Sequence, residues 1–201
     1  MIPELGHFAL ILALVLSLVQ AVVPLVGARR NSMALMAVGR PAAQGQFFFI
    51  LFSYVCLTWA FITSDFSVQL AASNSHAETP VMYKITGVWG NHEGSLLLWA
   101  MSLSLWTVAV TVFSRHLPDA FLARVLGVLG MVSAGFISFT LVTSNPFERL
   151  LPGVAEGRDL NPLLQDPGMI IHPPLLYMGY VGFSVAFAFA IAALLTGRLD
   201  A

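Results

Sequence analysis

Five long apolar stretches constrain the fold of this chain more than any other feature. Each stretch has about the 20 residues that a helix needs to cross a bilayer. A backbone in lipid must satisfy its own hydrogen bonds, and the alternation typical of barrel strands is absent, so we expect helices. The sequence therefore predicts an all-α, polytopic integral membrane protein with helices at about residues 5–26, 45–64, 95–113, 121–143 and 173–195.

Composition supports this class. The chain is 58% hydrophobic and only 9% charged, whereas soluble domains carry about a quarter charged residues. The single cysteine, Cys56, lies within an apolar run and cannot form an internal disulfide or a CxxC pair, so we expect a buried free thiol. No basic segment precedes the first apolar stretch, so we expect no cleavable signal peptide.

The distribution of basic residues predicts the orientation in the membrane. One side carries six of the nine Lys and Arg residues: Arg29, Arg30, Arg40, Arg115, Arg124 and Arg198. The other side carries Lys84, Arg149 and Arg158 among eight acidic residues. By the positive-inside rule, the first side is cytoplasmic. The N-terminus and the loops at about 65–94 and 144–172 are then periplasmic in a bacterial inner membrane. Their acidic excess does not favour a nucleic-acid partner.

His172 stands where the second of these loops meets the last apolar stretch. Proline fits the first turn of a helix and pushes the preceding residue out of the α region, so Pro173 and Pro174 predict that His172 lies just ahead of the helix. An imidazole held at the water–lipid boundary is a ready axial ligand for heme. The alternative is a histidine that only anchors the helix at the headgroups. Six prolines at 144–174 predict an irregular path for this loop.

A second polar segment, residues 89–95, precedes the third apolar stretch. Within it, Gly90 and Gly94 bracket residues 91–93 and allow φ > 0. Trp89 marks the interface belt, Glu93 suits the positive end of a helix, and Asn91 or Ser95 could cap that helix. We interpret Trp89, His92 and Glu93 as a platform beside His172; capping and anchoring alone are the alternative. One histidine and one glutamate are too few for a structural zinc site.

Residues inside the apolar stretches indicate packing more than chemistry. Trp99 and Trp106 share a helix face that could hold a porphyrin edge or pack on neighbouring helices. Glycine pairs allow close helix approach: Gly127 with Gly130, and Gly179 with Gly182. No histidine, Asp, Glu or Lys lies near a midplane, which argues against a bis-histidine cytochrome and a proton-relay transporter.

Four sequence blocks resemble the CcmF family of cytochrome c maturation proteins, which includes nitrite-reductase-associated relatives. They are PELGHFAL from Pro3, Pro80 to Trp99 around WGNHEG, NPLLQDPG from Asn161, and HPPLLYMGY from His172. The resemblance covers essentially the whole chain, and the last two blocks are its most specific part.

The resemblance implies part of a membrane heme lyase. Such a protein receives heme from a heme chaperone and promotes its thioether attachment to a CxxCH apocytochrome c outside the cytoplasm, beside thiol-reducing maturation subunits. It implies that His172 is one of two external axial ligands to the heme iron. It places the second ligand and a WGxWW signature further along family members, so residues 1–201 are expected to be an N-terminal transmembrane portion. A transporter or respiratory subunit and a non-catalytic membrane scaffold are the alternatives.

Overall fold

The computed structural model describes residues 1–197 and confirms the all-α class. Eight α-helices are present in this range: α1 (Ile2–Arg30), α2 (Met33–Ala37), α3 (Gly39–Ile62), α4 (Gln69–Asn74), α5 (Val81–Gly87), α6 (His92–Phe113), α7 (Asp119–Thr143) and α8 (Pro167–Thr196). A 3₁₀ turn spans Pro162–Gln165. The described residues form no strand. Arg198, which the charge distribution assigns to the inner side, lies outside the described residues.

Five helices are long and apolar enough to cross a membrane, as predicted. They are α1, the continuous run of α2 and α3, α6, α7 and α8. Helices α1, α6, α7 and α8 extend a few residues beyond their predicted bounds at one end or both, because polar and proline residues form the terminal turns. The second span begins at Met33 and ends at Ile62, well before its predicted start at residue 45 and just before its predicted end at residue 64. The chain is therefore a multi-pass membrane protein.

The helices pack around two large cores and a small third one formed by Ala28, Met36 and Ala123. In the first, α1, α3 and α6 bury apolar side chains such as Leu10, Ile50 and Leu97, all fully excluded from solvent. In the second, Leu103 of α6, Leu129 of α7 and Val181 of α8 are fully buried. Among the five spanning helices α8 contributes least: its buried residues are Ile170, Val181, Ala188 and Ala192. Most of its surface faces away from the other helices.

The two long loops assemble into one unit, which we call the loop layer (residues 63–91 and 144–166). Backbone N–H groups of Gln69 and Leu150 donate to Glu148 and Ser67, both over 2.9 Å. Arg149 pairs with Glu4 at the start of α1 (3.0 Å) and with Asp65 just after α3 (3.4 Å). The loop layer is therefore tied to the ends of both helices.

Two ionisable groups show how the loop layer is held. Lys84 is buried, and its ammonium donates to Ser64 Oγ (2.7 Å) and to the Ala77 carbonyl (2.9 Å). Partial burial raises the pKa of Asp65, but hydrogen bonds from Ser67 and the charge of Arg149 outweigh this effect and leave that pKa below its ordinary value. Asp65 is therefore ionised and bound at neutral pH.

The glycines of α7 allow α1 to approach at backbone distance. A Cβ atom on Gly130 would lie 2.6 Å from the Ala21 nitrogen, and one on Gly127 would lie 2.5 Å from Leu25 Cγ. The prediction of close approach is confirmed for both. In α8 it is confirmed only for Gly182, which packs on Trp106; a Cβ on Gly179 would meet nothing within 4 Å.

We predict that Gly130→Ala destabilises the protein by roughly 1–3 kcal/mol, because the added methyl group forces α1 and α7 apart. The measurement is thermal unfolding in detergent. Gly135→Ala is the matched control, since its Cβ would meet nothing within 4 Å. Equal unfolding temperatures for the two variants would contradict the proposed packing.

Candidate functional site

The start of α6 is fastened to the end of α5 by one side chain. Asn91 accepts from the Gly94 N–H (2.8 Å) and donates to the carbonyls of Gly87 (2.9 Å) and Val88 (3.2 Å). This confirms Asn91 as the cap. A Cβ on Gly94 would collide with the Val88 carbonyl, so this position requires glycine. The predicted φ > 0 is wrong for Gly90 and Gly94: the need here is space for a neighbouring backbone.

Helix α8 begins at Pro167, which corrects the predicted position of His172. The Asp166 side chain accepts from the N–H groups of Gly168 (2.8 Å) and Met169 (3.2 Å), and Pro167 occupies the first helical position. His172 is therefore in the second turn of the helix, six residues in, and not ahead of it. The cap supplied by Asp166 outweighed the tendency of Pro173 to displace its predecessor from the α region.

The same helix continues through Pro173 and Pro174, so the predicted irregular path ends at Asp166. Prolines lack the N–H groups that would bond to the carbonyls of Met169 and Ile170. The Trp89 indole replaces one of these missing donors, since its Nε1–H donates to the Ile170 carbonyl over 3.1 Å. A buried carbonyl without a partner would cost about 1–3 kcal/mol. Trp89 thus links the α5–α6 junction to the turn that carries His172.

A cavity of about 330 Å³ lies between that junction and the start of α8. Trp89 and His92 line one wall, and Met169, Pro173 and Tyr177 line the other. This volume is at the lower end of the range for small-molecule sites. The cavity combines aromatic and apolar walls with polar groups from Asn91 and Ser95.

The structure brings together some of the predicted site residues. Trp89 and His92 share the cavity, and His92 Nε2 lies 3.1 Å from Ser144 Oγ. Glu93 lies apart, in a cleft of about 90 Å³ with Asn145 and Glu148. His172 is exposed and does not line the cavity, although its helix forms one wall.

His172 stands at the end of an uncovered apolar stripe on α8. Leu175, Leu176, Gly179 and Phe183 follow at helical spacing and are all exposed. Such a face could contact a flat apolar molecule, and the imidazole at its end could coordinate a metal ion held by that molecule. Among residues 1–197 no three His, Cys, Asp or Glu side chains lie close enough together to hold a metal ion. Within this part of the chain, a histidine could therefore bind a metal only as a single ligand.

The tryptophans of α6 serve packing. Trp99 stacks on Phe136 of α7 with ring centroids 3.6 Å apart. The Trp106 indole donates to the Met178 carbonyl of α8 over 2.9 Å. The structure therefore favours packing against neighbouring helices, and not contact with a porphyrin edge, as the role of the α6 face that carries Trp99 and Trp106.

Two kinds of residue were missed from the sequence. The first is Asp166, although Asp followed by Pro is a usable signal for a helix start. The second is a buried polar set inside α1, α3 and α7: Gln20, Gln46 and Ser133. Gln20 donates to the Leu126 carbonyl over 2.8 Å. These side chains do not titrate, so they do not form a proton relay.

Comparison with known proteins identifies the family. The family model described as cytochrome C assembly protein matches residues 89–200, more than half of the chain. The chain belongs to this family. The match begins at Trp89 and includes the starts of both α6 and α8.

Three relatives describe the likeness further. The cytochrome c-type biogenesis protein CcmF of Pseudomonas aeruginosa is 65% identical over 100% of this chain and 31% of its own length. The cytochrome c-type biogenesis protein NrfE of Haemophilus influenzae is 43% identical over 97% of this chain and 31% of its own. A solved structure, the cytochrome c heme lyase CcmF, has a TM-score of 0.86 at 28% identity and covers 98% of this chain and 31% of that chain.

The resemblance to CcmF proteins is therefore confirmed across the whole chain. The chain spans about a third of the length of the curated relatives that it matches.

We predict that Trp89→Phe loosens the first turns of α8 because the Ile170 carbonyl loses its donor. Amide hydrogen exchange at residues 168–172 should accelerate by roughly fivefold or more, which corresponds to about 1 kcal/mol. Trp59→Phe is the matched control, since Trp59 is half exposed on α3. Unchanged exchange in Trp89→Phe would show that the indole does not hold this turn.

Proposed function

We propose that this chain forms the heme-presenting part of a membrane-bound cytochrome c heme lyase. In this proposal it binds heme delivered by a heme chaperone, and the heme is joined to the CxxCH cysteines of apocytochrome c on the periplasmic side. The exposed imidazole of His172 above an uncovered apolar face of α8 carries the proposal. Membership of the cytochrome c assembly family supports it.

His172 has the role of axial ligand to the heme iron. Its position depends on the Asp166 cap, on the rigid Pro173–Pro174 pair and on the bond from Trp89. A ligand on a helix turn held in this way is better oriented than one on a free loop. The side chains of Leu176 and Phe183, both exposed, supply apolar contact for one porphyrin face.

The remaining candidate residues have supporting roles. Trp89 and His92 form the wall opposite α8, and His92 does not ligate iron in this proposal. Glu93 stabilises the N-terminus of α6 from the separate cleft and acts only through that helix.

The reaction requires orientation more than a catalytic side chain. Each cysteine thiol adds across one heme vinyl group: a C–S bond forms, and the thiol proton passes to the other vinyl carbon. No net oxidation occurs in this addition. The protein holds the porphyrin still while the apocytochrome approaches.

The partners in this proposal are the heme chaperone, apocytochrome c and thiol-reducing maturation subunits, besides membrane lipid. The protein lies in the bacterial inner membrane with its N-terminus and the loop layer in the periplasm and the end of α8 in the cytoplasm. Residues 1–201 act as one N-terminal transmembrane segment of the lyase, together with residues outside this chain. The buried polar side chains Gln20, Gln46 and Ser133 do not titrate, so they do not favour the transporter alternative.

We predict that cysteines in the loop layer react with a membrane-impermeant maleimide in intact spheroplasts. Ala77→Cys and Ala155→Cys are suitable because both positions are exposed. His116→Cys, exposed between α6 and α7, should react only after lysis. The buried Cys56 is changed to serine as background. The opposite labelling pattern would place the loop layer in the cytoplasm and contradict the proposed heme side.

We predict that His172→Gly in the complete protein abolishes cytochrome c maturation and that added imidazole restores part of it by filling the vacated coordination position. The measurement is covalent heme in c-type cytochromes, together with the absorbance of heme bound to the purified protein. His92→Ala should reduce maturation only partially and leave the absorbance spectrum unchanged.

His116→Gly is the matched control, because it removes an exposed histidine between α6 and α7, at the opposite ends of the helices. Wild-type maturation in His172→Gly without imidazole would make the ligand assignment wrong and favour the anchoring role. A changed ligand spectrum in His92→Ala would assign the iron to His92 instead. Normal heme absorbance in His172→Ala would favour a scaffold.

A further inference from the structure

A groove of about 440 Å³ lies at the opposite ends of the helices from the loop layer, where α1, α7 and α8 meet. Among the residues that the structure describes, its walls are apolar apart from two side chains, Arg29 of α1 and Arg124 of α7. We propose that this groove binds an anionic phospholipid, with the lipid phosphate at the two arginines and an acyl chain along the apolar wall. The proposal is independent of the heme role.

The charge of the groove points to an anion. Both lining cations are guanidinium groups, and no carboxylate among residues 1–197 lines the groove. One nitrogen of Arg124 donates to the Ala120 carbonyl over 3.1 Å, which orients the group and leaves further donors for a ligand. Basic pockets between transmembrane helices are recognised sites for anionic headgroups.

The groove has the polarity of a phospholipid. Arg29 lies in the last turn of α1, and Val22 lies seven residues earlier. Arg124 lies near the start of α7, and Met131 lies seven residues later. Seven helical residues span about 10 Å, so on both helices the charge lies at the membrane surface and the apolar side chain lies about 10 Å deeper.

The apolar wall is open to lipid in the described part of the chain. Val22 is 58% exposed, Met131 50% and Leu195 54%. These side chains come from three different helices and face one groove, so an acyl chain would contact all three. A free inorganic anion would use only the arginines and would leave this apolar wall uncovered.

The test compares lipids with identical acyl chains on the purified full chain. Native mass spectrometry from detergent micelles measures adducts of dioleoyl phosphatidylglycerol and dioleoyl phosphatidylcholine. We expect the anionic lipid to bind at least tenfold more tightly. In the double variant Arg29→Gln/Arg124→Gln this affinity should fall by roughly thirtyfold, because each arginine contributes at a lipid surface.

The matched control is Arg30→Gln/Arg115→Gln. It removes the same charge from two exposed residues on the same side that do not line the groove. Its affinity for phosphatidylglycerol should change less than twofold. Equal losses in the two double variants would show attraction to overall charge and would overturn the proposal.

A second variant tests the apolar wall. Val22→Trp should fill the groove and weaken phosphatidylglycerol binding at least fivefold. Val15→Trp should not, because Val15 is a half-exposed residue of α1 outside the groove. Unfolding temperatures of both variants establish that they fold.

Three further outcomes would overturn the proposal: equal binding of phosphatidylcholine, complete competition by millimolar inorganic phosphate, or no lipid adduct on the wild-type chain. The first would indicate an unselective apolar groove. The second would indicate a simple anion site, and the third would indicate that the groove binds no phospholipid.

Discussion

The structure depends on one constraint: a backbone in lipid must find its hydrogen-bond partners within the protein. Where a helix begins, Asn91 or Asp166 satisfies the first N–H groups. Where Pro174 removes an N–H from α8, the Trp89 indole supplies another donor to the Ile170 carbonyl. The candidate site lies where these side-chain hydrogen bonds replace the backbone hydrogen bonds of a regular helix. The side chains that hold the backbone there also set the position of His172.

The two ends of the molecule differ in how they use charge. At the loop layer, Arg149 and Lys84 are committed to ion pairs and hydrogen bonds that join loop to helix. At the other end, Arg29 and Arg124 border an apolar groove that opens toward lipid. Basic residues therefore stabilise the fold on one side and offer a surface to anions on the other, which agrees with the uneven charge distribution of the sequence.

Much of this could be predicted from the sequence. The five apolar stretches determined the helices, because length and hydropathy are local properties. The close approach at Gly130 and the cap at Asn91 followed from residue type. The position of His172 could not be predicted correctly, because local rules for proline and for the Asp166 cap conflict, and a donor from the α5–α6 junction decides between them. Glu93 was grouped with Trp89 because they are near in sequence, but α6 turns Glu93 toward a different cleft.

By itself, the sequence determined the membrane class, the number of spanning helices and the family likeness, all of which are properties of composition and motif. Only the tertiary structure decided which side chains meet. It placed Trp89 against α8, assigned Trp99 and Trp106 to helix packing, and left one face of α8 uncovered around His172. Contacts between helices depend on their rotation and depth, and a hydrophobic stretch encodes neither when lipid and protein interior are equally apolar.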